Sequence, residues 1–285
     1  MTDLDLVDDL VDPILVAAFE GWNDAADAAS STLDRLIEHW DAELVTELDP
    51  EDYYDFQVSR PHVAFDAAGR RTLTWPTTRV YVARPEGANR DLVLLRGIEP
   101  SMRWRRFCTE LLEVSETLGV RLVVVLGALL ADVPHTRPVP VTGSVSEPEL
   151  GARLGLEQSH YEGPTGITGV FQDLCAAADM PSLSLWAAVP HYVAQPPCPK
   201  ATLALLGRLE DLLDISVPAD DLVEEARAWE RGVDELARED GDIAEYVKSL
   251  EDARDTSELP EASGDAIARE FERYLKRRQR DSDAG

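Results

Sequence analysis

Val123-Val124-Val125-Leu126-Gly127, followed two residues later by Leu130-Ala131-Asp132-Val133-Pro134-His135-Thr136-Arg137-Pro138, is the stretch that decides the fold class. Its first part is a short β-branched run closed by glycine, the pattern of a strand buried on both faces of a parallel sheet. Its second part is polar, with two prolines, a histidine and an arginine. In open α/β sheets ligands sit beyond the carboxyl ends of the strands. His135, Thr136 and Arg137 therefore occupy a candidate site.

Upstream, Ile14 to Phe19 reads as a first strand, followed by Glu20-Gly21-Trp22-Asn23-Asp24. Asn23 or Asp24 can cap a helix through Ala25, Ala29, Leu33 and Ile37, which makes one βα unit. Glu43–Leu48 is a second strand. Leu73–Trp75, Val80–Val82 and Leu92–Leu95 are short strands with no helix between them, so part of the sheet is expected to be antiparallel. A helix opens at Pro100 and ends at Gly119. Downstream, Leu150–Leu154 is a short helical piece, and a glycine-rich loop, 163–169, leads into a helix through Met180. Leu183–Val189 is the last core strand, and Lys200–Leu213 a closing helix. From Pro218 the pattern changes to a narrow heptad-like stripe, Leu222, Ala226, Trp229, Val233 and Leu236. A break at 239–242 separates it from a helix through Ile243, Tyr246, Val247 and Leu250. A linker over 257–264 precedes a last helix through Ile267, Phe271, Tyr274 and Leu275.

Composition narrows the function classes. The 285 residues carry a formal net charge of −28. A nucleic-acid binder or an anionic-membrane binder needs a cationic footprint, which this balance argues against. Only Lys200, Lys248 and Lys276 are lysines; a GC-rich genome and a halophilic habitat both give that bias. Cys108, Cys175 and Cys198 are scattered and form no CxxC pair, which points to reduced thiols in a cytoplasmic protein without a disulfide framework or zinc knuckle. The acidic N-terminus does not read as a signal peptide. The longest apolar run, Leu122–Ala131, is shorter than the roughly 20 residues a bilayer span takes.

Each candidate residue has a chemical reading and a packing reading. Glu20 at a strand end is placed as a base or a hydroxyl ligand; Asp24 is either that or a helix cap. The loop with Tyr53, Tyr54, Phe56, Arg60 and His62 forms either a pocket wall or its own local packing. Arg137 suits bidentate clamping of an anion, and His135 acid–base work or hydrogen bonding; the alternative is a rigid loop holding backbone carbonyls. Glu162, Gly163, Thr165 and Gly166 open a helix whose amides could bind an anion, or form a tight turn. There is no Walker lysine. His191 ends the last strand as His135 follows the one at 122–126, which suggests a shared cleft. No third ligand at a recognisable spacing completes a metal site, no cofactor is indicated, and no nucleophile elbow is present.

Several of these segments together resemble the proteasome assembly chaperone two family, in its bacterial, actinobacterial branch. They are Glu20–Asp24, Gly97-Ile98-Glu99-Pro100, Leu126–Ala128 with Pro134–Pro138, Tyr161–Gly169 and Ser184–Tyr192. The resemblance covers about residues 10 to 215. It implies a three-layer α/β/α core similar to purine nucleoside phosphorylase-like folds, with an active-site-like position at the sheet's carboxyl edge. It also implies a link to proteasome assembly and, from the habits of phosphorylase-like folds, a homo-oligomer, trimeric or built from trimers.

The expectation is an α/β core over 1–217 with a helical C-terminal appendage over 218–285. Glu20, Trp22, His135, Arg137, Thr165 and His191 are expected to line one concave site, with Arg137 and loop 163–169 accepting a small anionic ligand. Two functions follow: a chaperone-like protein with a proteasome-related partner, or a phosphorylase- or hydrolase-like enzyme or ligand binder. Without a complete catalytic signature, the sequence leaves enzyme status open.

Overall fold

A computed structural model describes Val7 and residues 10–258 of the chain. In chain order the elements are β1 (Ile14–Glu20), α1 (Ala28–His39), β2 (Glu43–Glu47), β3 (His62–Phe65), β4 (Arg71–Thr74), β5 (Arg79–Ala83) and β6 (Leu92–Ile98). They continue with α2 (Trp104–Thr117), β7 (Leu122–Ala131), β8 (Val141–Val145), α3 (Pro148–Leu154), β9 (Glu157–Gln158), α4 (Ile167–Ala177) and β10 (Ser182–Pro190). Helices α5 (Pro199–Leu213), α6 (Asp220–Glu239) and α7 (Gly241–Glu258) close the described chain.

Eight strands form one mixed sheet in the order β2-β5-β6-β1-β7-β10-β8-β9. Its centre, β6-β1-β7-β10, is parallel, as the apolar runs predict; β5 pairs antiparallel with β2 and β6, and β8 with β10. Strand alternation splits the core into two layers. Val16, Ala18, Leu94, Val124 and Leu126 face α1 and α5. Leu15, Ala17, Val93, Val123 and Val125 face α2 and α4 through Phe107, Leu111, Ile167 and Phe171. This is the expected α/β/α sandwich. Helix α6 adds a further layer outside α5, with Leu222 buried in the first cluster and Trp229 packed on it.

Four details depart from the sequence reading. Strand β7 runs to Ala131, past the glycine, because β10 pairs with it as far as Ala131↔Pro190. Helix α1 starts at Ala28 rather than Ala25, after a turn in which Ala26 and Asp27 take positive φ. Strands β8 and β9 were not anticipated: prolines 138 and 140 and Gly143 disguise the first, and two residues are too few for the second. Strand β4 leaves the main sheet and pairs only with β3 as a separate hairpin. The expected helix through Phe271 lies outside the described residues.

The connection from β1 crosses α1 on one face, and the one from β7 reaches α4 on the other. Two neighbouring strands thus send their chains to opposite sides, and a crevice opens between their carboxyl ends.

Candidate functional site

That crevice is a cleft of about 840 Å³. Trp22 and Asn23 reach it from the turn after β1, Leu129 and Leu130 from the end of β7, Trp186 from β10, and Tyr161 from the loop before α4. Trp186 sits beside Gly127 across the β7–β10 ladder. A Cβ at position 127 would come within 2.5 Å of the indole, so glycine there is what lets the ring lie across the neighbouring strand. Trp22 and Tyr161 are each 68% exposed, and Leu130 50%.

The start of α4 is already occupied. Glu99 Oε1 accepts from the Ile167 backbone N–H at 2.9 Å and from Asn23 Nδ2 at 2.9 Å. Asn23 in turn accepts from Thr168 Oγ1 at 3.1 Å, and its carbonyl accepts from Ala128 N–H. Gly166 must be glycine because a Cβ would fall 2.3 Å from Asn23 Oδ1. A carboxylate of the chain itself therefore takes the place an external anion would use. Thr165 and Gly166 line the cleft; Glu162 and Gly163 belong to the same loop but do not line it. Tyr161 Oη donates to the Pro164 carbonyl at 2.9 Å and closes the loop.

The segment after β7 turns away from the cleft and seats the C-terminal helices. His135 is 1% exposed. Tyr192 Oη accepts from the His135 backbone N–H at 2.7 Å and lies 2.8 Å from Nδ1, and Nε2 lies 3.1 Å from Asp234 Oδ1 on α6. Burial pushes the Tyr192 phenol up to about 12, so it keeps its proton near neutral pH. Thr136 Oγ1 donates to Glu251 of α7. Arg137 holds Glu251 at 3.2 Å and, bidentately, Asp255 at 2.8 and 3.0 Å. Lys200 Nζ bridges the His135 carbonyl and Glu230 of α6. His191 Nδ1 is 3.1 Å from Asp132, which also accepts from Tyr246 Oη of α7. Both histidines lie at the same sheet edge, as expected, yet they and Arg137 hold helices rather than line the cleft. For His135 and Arg137 the physical reason is the acidic character of α6 and α7, whose Asp234, Glu251 and Asp255 claim these donors, whereas His191 is held by Asp132 and packs on Tyr246 of α7.

Two carboxylates of the first turn are also internal. Glu20 accepts from Arg96 Nη2 at 2.6 Å, and Arg96 pairs on to Asp34. Asp24 accepts from Ala29 N at 2.7 Å and from Ser30 N; it caps α1, and burial pushes it up to about 6. Tyr53 and Tyr54 are buried core residues rather than a pocket wall, Tyr54 Oη donating to the Ile98 carbonyl at 3.0 Å. Burial pushes the Cys108 and Cys175 thiols up to about 12 and raises Cys198 as well, which leaves them protonated and unreactive near neutral pH. Among the described residues, no group of three or more His, Cys, Asp or Glu is placed to hold a metal, and no helix is long and apolar enough to cross a membrane.

Of the cleft's side chains, sequence reasoning picked out Trp22, Thr165 and Gly166 and missed Leu129, Leu130, Tyr161 and Trp186. The apolar run to Ala131 was the available signal for the two leucines, since a strand that continues past its glycine projects beyond the core.

The PAC2 family model matches residues 18–237. No curated protein matches the chain. Among solved structures, a PAC2 family protein from Streptomyces avermitilis is 62% identical, with 83% of this chain and 100% of that chain covered and a TM-score of 0.78. A Mycobacterium tuberculosis proteasome-assembly chaperone homologue is 53% identical, with 82% and 99% covered and a TM-score of 0.75. A Pyrococcus furiosus archaeal proteasome activator, 17% identical over 80% of this chain and 94% of that one, shares the fold at a TM-score of 0.64. The family model spans the sheet and most of α6, and the two actinobacterial proteins are more than half identical over nearly their whole lengths: the chain belongs to the PAC2 family.

Proposed function

We propose that this protein works through protein–protein contact in the cytoplasm, as a self-associating assembly factor for a proteasome-related particle. The 53% identical Mycobacterium tuberculosis protein, described as a proteasome-assembly chaperone homologue, supports the choice of partner. The observation that carries the contact itself is the β3–β4 hairpin. It stands outside the main sheet, paired only with itself, with Val63, Phe65 and Leu73 exposed on its strands and Trp75 just beyond. A lone two-stranded hairpin is marginal in water, and clustered exposed apolar side chains mark interaction sites. The hairpin is an arm for a second copy of the chain, in a trimer or a multiple of trimers. Catalysis is not part of this reading: the buried thiols are protonated, and the imidazole of His135 is committed to Tyr192 and Asp234.

Light scattering tests the assembly. The full chain is expected to run as an oligomer at micromolar concentration, and Phe65→Asp to lower its mass toward the monomer with the fold intact by circular dichroism. A monomeric wild-type chain refutes self-association. Co-expression with the proteasome α-subunits of the same organism tests the partner. Faster assembly than without this chain supports the role, and an unchanged rate opposes it.

A further inference from the structure

The cleft between β1 and β7 is chemically unlike the rest of the molecule. Asp, Glu, Lys and Arg make up 29% of the chain, yet among the described residues that line this cleft none is charged. Its walls carry two indoles, a phenol ring and two leucines. Its polar side chains are hydroxyls and the two carboxamides of Asn23 and Gln172, the first already bonded to Glu99 and Thr168. Ser144 and Ser184 bond to each other at 3.0 Å. The Gln172 carboxamide, the Thr142 hydroxyl and the Trp186 indole N–H form no side-chain hydrogen bond among the described residues. A volume of about 840 Å³ lies in the range of small-molecule sites, which combine apolar walls with a few orienting polar groups.

We propose that this cleft binds an uncharged small molecule that carries a flat ring and neutral hydrogen-bonding groups. The ring packs against Trp22, Trp186 and Tyr161, where aromatic faces give most contact. Gln172 and Thr142 supply the orienting donors and acceptors. A charged ligand would leave water for a cleft that offers it no counter-ion, and that desolvation has no compensation. An anion is doubly disfavoured, because the adjacent helix start already holds the Glu99 carboxylate and the chain's net charge is −28. The sequence-based expectation of an anionic ligand is thereby replaced. Neither the ligand nor its site depends on the assembly role.

A set of near-isosteric probes separates charge from shape: indole-3-acetamide, indole-3-acetate and tryptamine, titrated by ligand-observed NMR in enough salt to screen the overall field. The amide is expected to bind at least roughly tenfold more tightly than either charged analogue. Leu130→Glu places a carboxylate in the half-exposed wall and should abolish amide binding. Trp22→Ala, in an exposed turn, should weaken it several-fold while leaving the melting temperature unchanged, which keeps the test valid if the first variant fails to fold. Equal or tighter binding of a charged probe, amide binding that survives Trp22→Ala unweakened, or no binding of the amide each overturns the proposal.

Discussion

At the scale of single residues, Asp24 makes stability depend on pH in an unusual direction. Its carboxyl is buried against the first amides of α1 and titrates near 6 rather than at its ordinary value of 3.8. The folded state therefore binds this proton more tightly than the unfolded chain does. Its contribution is greatest in acid and is lost as pH rises through about 4 to 6, a span worth roughly 3 kcal/mol. Asp24→Asn keeps an acceptor for Ala29 and removes the titration. Melting curves from pH 4 to 7 should show the wild type losing stability relative to the variant over that window; parallel curves would refute the assignment. Arg137 makes the opposite point about reading residues. Its sequence context suits an anion clamp, but Glu251 and Asp255 stand 114 and 118 positions away along the chain. No local pattern reveals that pairing. Inorganic phosphate should therefore give the same thermal shift with Arg137→Ala as with wild type, whereas a shift lost in the variant would restore the anion reading.

At the scale of elements, α6 and α7 are fastened to the loop after β7 and to Lys200 of α5 by ion pairs that are only partly buried. The Arg137 side chain is 34% exposed, so its clamp is worth no more than about 1 kcal/mol after screening. Arg137→Ala should speed amide hydrogen exchange over residues 244–256 by up to about fivefold and leave β1 and β7 unaffected; uniform exchange across α7 and the sheet would mean that the helix unfolds only with the core. Elements of this kind were legible where their periodicity was long. The central strands, the break near Gly241 and the stripe from Leu222 to Val233 appear as written in the sequence, because burial on a regular face leaves a regular trace; Leu236, the last member of the expected stripe, is 56% exposed. Strand β4 was read, as Leu73–Trp75, but its partner β3, their separation from the main sheet and the edge strands β8 and β9 were not legible. An exposed or very short strand is held by backbone pairing alone, and backbone pairing leaves no mark on side-chain choice. The cleft was half legible for the same reason: strand ends announce a crevice, but which side chains turn into it depends on where a ladder stops.

At the scale of the whole molecule, the net charge of −28 sets the response to salt. Exposed ion pairs lose little when screened, while the excess of like charge is relieved throughout. Raising potassium chloride from low to half-molar concentration should increase the melting temperature by roughly 2–4 °C, about 1 kcal/mol for a domain of this size; a fall would mean that specific pairs outweigh the repulsion. The same composition leaves three lysines in the chain. Lys200 lies between the His135 carbonyl and Glu230, with its side chain 15% exposed, whereas Lys248 on α7 is open to solvent. Amine chemistry is therefore a latch sensor for this protein. An acylating reagent should label Lys248 at once and Lys200 only as fast as α6 lifts from the sheet edge, and peptide mass spectrometry would read that opening as a rate. Glu230→Gln should quicken labelling of Lys200 and leave that of Lys248 as it was.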